Sequence, residues 1–198
     1  SLIPRQLTKW RTGGRKWFYP SIDLVPDINR QNNLGIPLKN QIAYAGNALR
    51  MMGLTTNFAP LVVFCGHGSQ TENNPYAAAL DCGACGGRHG GPNAAALARI
   101  LNQDVVRDEL REAGIDIPAD TLFVGAQHNT TTDGVSLLDL PELDAEKDAQ
   151  IAQLRKDLKS AQRGNLDYRA PQFGASQGDD LLRRSADWSE VRPEWGLA

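Results

Sequence analysis

The sequence predicts an α/β fold: a short parallel sheet flanked by helices, with an irregular N-terminal arm. Three observations carry this. Two apolar β-type runs, Leu61 to Phe64 and Thr121 to Ala126, each follow a helical pattern. Each run leads into a polar segment that holds a histidine. Pro4, Pro20, Pro26 and Pro37 punctuate the first 38 residues. The chain therefore divides into an arm (1–38), an α/β core bearing the site (39–140) and a C-terminal helix with its tail (141–198).

The bulk composition bounds the function. The chain has 198 residues, enough to bury a core without staples. A formal net charge of −2 supplies no global attraction to nucleic acid. The basic residues Arg5, Lys9, Arg11, Arg15 and Lys16 read as a solvated segment, and Trp10, Trp17, Phe18 and Tyr19 as the aromatics that pin a wrapping arm. All three cysteines, Cys65, Cys82 and Cys85, lie close together, unlike the even, dispersed set of a disulfide framework. They fit a reducing compartment. No apolar run is long enough to span a bilayer, and the first residues lack the apolar stretch of a signal peptide.

The first helix is expected from Asn40, as its cap, to Met52, with Ile42, Ala45, Leu49 and Met52 on the inner face. Gly53 is placed to end it in the left-handed conformation. After the first strand and a glycine-rich stretch, Pro92 and Asn93 open a second helix whose inner face is Ala94, Leu97, Ile100 and Leu101. A third helix, Val105 to Ala113, closes at Gly114. The second strand ends in Gln127, His128, Asn129, Thr130, Thr131, Thr132 and Asp133. Two such strands side by side in a parallel sheet would bring His128 near His67. A long helix from about Leu143 to Arg163 carries the narrow stripe Ile151, Leu154, Leu158 and Ala161, and Gly164 is expected to end it. A short helix is expected around Asp179 to Arg184.

The chemistry concentrates between Leu61 and Pro92. Zinc takes thiolate, imidazole or carboxylate ligands, four in a closed site. His67, Cys82, Cys85 and His89 can be written as such a set, with CxxC spacing at Cys82-Gly-Ala-Cys85. A structural zinc-binding module is one reading. A Cys–His hydrolase built on His67 and Cys82 is another, although only 14 residues separate the two. Dithiol exchange at Cys82 and Cys85 is disfavoured, because Gly86 and Gly87 follow where a helix is needed. Cys65 reads as a packed core thiol at the strand end, His89 as a solvated loop residue. The glycines around them, Gly66 and Gly68 included, read as tight turns or close backbone approach.

Long uncommon strings in this region resemble one family. GHGSQTENNPYAAALDCGACGG, the later Gln-His-Asn-Thr-Thr-Thr-Asp and the closing Asp187 to Ala198 are similar to DabA, the large soluble subunit of bacterial inorganic-carbon transporters. The resemblance covers nearly the whole chain and implies an internal fragment of a longer protein. It implies a β-carbonic-anhydrase-like fold, present in part, and a zinc cofactor. In the family the metal takes a Cys and an Asp from an upstream Cys-x-Asp-x-Arg motif, then a His and a Cys downstream. By motif match the downstream pair is His67 and Cys82, and Cys85 falls to a turn or supporting thiol. No Cys-x-Asp-x-Arg occurs in the 198 residues. The resemblance thus places no catalytic residue within this chain, and the chain alone is expected to hold zinc weakly and to turn nothing over. For the whole protein it implies hydration of CO2 to bicarbonate, coupled to cation flux through a membrane-embedded DabB-type partner. It also implies a peripheral location on the cytoplasmic side of the bacterial inner membrane.

Overall fold

A computed structural model of the chain describes residues 7–12, 15–20, 35–69, 88–130, 132–173 and 175–176. The arm is not irregular throughout. Strands β1 (Leu7–Thr12) and β2 (Arg15–Pro20) pair antiparallel, with Trp10 opposite Trp17 in the register. Alternation of β-type residues around the Gly13-Gly14 dipeptide is a hairpin signal that the prolines obscured. The chain falls into two compact units: Ser1–Phe64 with Ala95–Val124, and Cys65–Ala94 with Gly125–Ala198.

The first unit holds helix α1 (Leu38–Met51), most of α2 (Gly91–Leu101) and α3 (Asp104–Glu112). Asn40 does not cap α1: Pro37 stands at that position, with its carbonyl taking the Asn40 and Gln41 amides. Proline is suited to a helix start because its missing N–H would go unused there. The helix buries Gln41, Ala45, Gly46 and Leu49, whereas Met52 is exposed. Gln41 is an inner polar residue that an apolar pattern passes over. It donates to the Ile36 carbonyl at 2.7 Å and accepts from Gln103 Nε2 at 2.7 Å. Gly53 and Gly114 end α1 and α3 at φ 72° and 81°, as their positions predict. The core of this unit is Leu49, Leu101, Val106, Leu110, Ile115, Ile117 and Phe123, with Phe64 stacked on Phe123 at 5.6 Å.

Strands β3 (Leu61–Gly68) and β4 (Leu122–Asn129) begin in the first unit and end in the second. The Leu122 amide donates to the Pro60 carbonyl, and the Thr130 amide to the Gly68 carbonyl. The same offset at both ends makes the strands parallel neighbours, as predicted. The sheet as a whole is mixed. Strand β5 (Gly134–Leu138) runs antiparallel to β4, in the order β3-β4-β5. The expected loop from Gln127 is therefore strand as far as Asn129. The chain turns back with Asp133 at φ 54° and buries Leu137 and Leu138.

In the second unit helix α4 (Ala145–Arg169) starts at Asp144, whose carboxylate accepts from the Lys147 amide at 2.7 Å, with Glu146 and Asp148 in the first turn. It runs through Gly164, where an added Cβ would meet nothing, because the burial of Leu166 just beyond it outweighs the small cost of one glycine in a helix. Its inner residues are Ile151 and Leu166; Leu154 and Leu158 are half-buried and Ala161 is exposed. The helix expected near Asp179 to Arg184 lies outside the described residues. No helix among the described residues is long and apolar enough to cross a membrane.

Candidate functional site

All the described site residues belong to the second unit, at the carboxyl ends of β3 and β4. The backbone of β3 is fixed first. A Cβ on Gly66 would overlap the carbonyl of Gly90 and fall 2.6 Å from the Gly91 nitrogen. One on Gly68 would fall 2.7 Å from the His89 ring. Neither glycine has a positive φ, so close approach rather than turn geometry requires them. The Gly90 amide donates to the His67 carbonyl at 2.8 Å and closes the contact.

Side chains alternate across a strand, so the two faces here differ. The face of Gly66 and Gly68 backs onto Gly90 and His89, and Gln127 of β4 lies on the same side, with its Nε2 3.2 Å from His89 Nδ1. His89 is thus half-buried and hydrogen-bonded, not a solvated loop residue. The opposite face carries Cys65, His67 and, from β4, His128. The constant offset between the strands sets His67 and His128 at neighbouring positions.

His67 is exposed at the strand end. Cys65 is exposed too, and so is not the core thiol its apolar strand suggests. Partial desolvation pushes its pKa above the ordinary thiol value, and a hydrogen bond from the His128 backbone partly opposes this. A raised thiol is a poor thiolate source, which argues against Cys65 as a nucleophile. His128 is held from the other side. Its Nε2 lies 3.0 Å from Asp133 Oδ1, and Asp133 Oδ2 lies 2.6 Å from Arg169 Nη1. Asp133 had a visible place in the polar cluster, but Arg169, at the far end of a 25-residue helix, gave no sequence signal of this role.

Cys82 and Cys85 lie outside the described residues. Among the described residues no three metal-ligating side chains gather in one place.

By its fold this is an α/β protein, with histidines at two adjoining strand ends. The chain belongs to the DabA family, since the family model described as "Probable inorganic carbon transporter subunit DabA" matches residues 1–198. Relatives carrying the same description include one from Legionella pneumophila (strain Lens), 56% identical over 202 residues, with all of this chain and 26% of that protein covered. A Salinibacter ruber relative is 44% identical over 211 residues, again with all of this chain and 26% of the relative covered. One from Bacillus licheniformis is 44% identical over 208 residues, with all of this chain and 24% of the relative covered. The chain thus spans about a quarter of the length of these relatives. No solved structure matches it.

Proposed function

We propose that this chain carries the downstream half of a zinc centre in an inorganic-carbon transporter subunit, with His67 and Cys82 as its ligands. The whole protein hydrates CO2 to bicarbonate and couples this to cation flux through a membrane-embedded DabB-type partner. It sits peripherally on the cytoplasmic side of the bacterial inner membrane.

The observation that carries the reading is the presentation of His67. Its imidazole is exposed, while its own carbonyl is tied to Gly90 and the strand beneath it is locked by Gly66. A ligand held this way loses little further freedom on binding, which favours a metal over an unstructured contact. Donor chemistry fits as well: one imidazole and one thiolate are a zinc set, and the remaining donors must come from elsewhere in the full-length protein. When bound, zinc supplies Lewis-acid activation of water at neutral pH. The chain's own contribution is to hold the His67 nitrogen at a fixed point and to line the neighbouring position with His128.

The test is inorganic-carbon uptake by cells producing the full-length protein with its membrane partner. His67→Ala and Cys82→Ser should each reduce uptake by a factor of about 100 or more, the scale of a misplaced or missing catalytic group. Cys85→Ser should retain most of it. Uptake unchanged in His67→Ala would overturn the assignment.

A further inference from the structure

The histidine on the adjacent strand is held more elaborately than packing requires. Asp133 bridges His128 Nε2 at 3.0 Å and Arg169 Nη1 at 2.6 Å. The Asp133 and Arg169 side chains are 11% and 17% exposed, whereas His128 keeps 35% of its side chain in contact with solvent. The backbone of Asp133 sits in the left-handed region at φ 54°, which few residues other than Gly, Asn and Asp adopt. The Arg169–Asp133 pair alone ties the β4–β5 turn to the end of α4. Adding His128 does something different: it fixes the rotation and tautomer of one imidazole.

That tautomer has a consequence. A carboxylate only accepts, so His128 Nε2 carries the hydrogen, and in the neutral ring Nδ1 keeps its lone pair. Because Arg169 meets the charge of Asp133, the carboxylate offers little repulsion to an anion near the ring. Strand register places His128 beside His67, on the sheet face opposite Gly66, Gly68 and Gln127.

Resting on the function proposed above, we infer that His128 Nδ1 is the hydrogen-bond acceptor that positions the hydroxyl of bicarbonate at the His67 site. Asp133 and Arg169 are positioning residues that act through it.

The test uses the full-length protein and carbon-13-labelled bicarbonate as probe, with binding followed by NMR line broadening and zinc content measured in parallel. In His128→Gln the amide nitrogen takes the place of Nε2 and keeps a donor for Asp133, but the acceptor at Nδ1 is gone. In His128→Asn the amide oxygen takes the place of Nδ1. His128→Gln is expected to keep its zinc and to bind bicarbonate about tenfold more weakly, the scale of one hydrogen bond. His128→Asn should recover most of that loss. Wild-type binding in His128→Gln, or equal losses in both variants, would overturn the inference. His67→Ala separates the two levels. If it abolishes binding while His128→Gln does not weaken it, only the role of His128 falls. If His67→Ala binds as wild type does, the zinc-site reading falls with it.

Discussion

Gly66→Ala is expected to disable inorganic-carbon uptake by the full-length protein about 100-fold without touching any ligand, the penalty for a displacement of order 1 Å at a reacting centre. The added Cβ overlaps the Gly90 carbonyl, which is backbone and cannot rotate away. Either β3 or the start of α2 must move. In both cases the Gly90 amide parts from the His67 carbonyl, and the bond that fixes His67 is lost. Overpacking of this kind also costs about 1–3 kcal/mol of local stability. Gly164→Ala serves as the control. It adds the same methyl group inside α4, where a Cβ meets nothing, and should leave uptake unchanged. Wild-type uptake in Gly66→Ala would mean that the strand end tolerates displacement and that rigidity is not what the site needs.

Arg107→Met is expected to open the first unit locally. The guanidinium is buried and spends its donors on one small region. Nε donates to the Leu101 carbonyl at 2.7 Å, and Nη2 to the Thr121 carbonyl at 2.6 Å and to Asn102 Oδ1 at 3.1 Å. Nη1 reaches the Pro118 and Ala119 carbonyls at 3.3 and 3.4 Å. The same group lies 5.6 Å from the Phe123 ring centroid. Burial lowers the Arg107 pKa, with Asp104 partly opposing, yet an arginine so placed stays charged. Methionine fills the volume and makes none of these bonds, leaving several carbonyls without a donor. The expected cost is about 3–5 kcal/mol, typical of breaking a buried charged network. Hydrogen exchange on the full-length protein should show the amides of residues 119–124 exchanging at least about 100-fold faster. Exchange within about threefold of wild type would show that water replaces the guanidinium at little cost.

Local signals in the sequence held up where one residue type has one physical job. Gly53 and Gly114 end helices because only they take φ near +75° cheaply, and both are read correctly. The parallel pairing of β3 and β4 follows from helix–strand alternation. The misreadings have the opposite character. Asn40 and Pro37 are both acceptable helix starts, and only the packing of Gln41 against Ile36 and Gln103 settles the frame. Gly164 looks like a terminator, but a single glycine costs a helix only about 1 kcal/mol, less than the burial of Leu166 returns. β5 was hidden because a polar cluster reads as loop, whereas β4 continues through Gln127, His128 and Asn129 and the return strand is short.

The site divides in the same way. The strand-end position of His67 is legible because a histidine follows directly on an apolar run, which makes it a candidate where α/β proteins keep their chemistry. Its rigidity is not, since nothing in the sequence says that Gly66 meets Gly90 rather than forming a turn. The His128–Asp133–Arg169 arrangement links residues 36 positions apart, and no spacing rule connects them.

The proposed function makes His67 and Cys82 two ligands of one zinc ion in the full-length protein. Zinc per chain, measured by elemental mass spectrometry on the purified wild type and three variants, tests it most directly. The expected result is about one equivalent in the wild type and in Cys85→Ser, with a small fraction of that in His67→Ala and Cys82→Ser. Full zinc retained in both His67→Ala and Cys82→Ser would contradict the claim. So would equal losses in Cys82→Ser and Cys85→Ser, which would identify a structural CxxC knuckle instead.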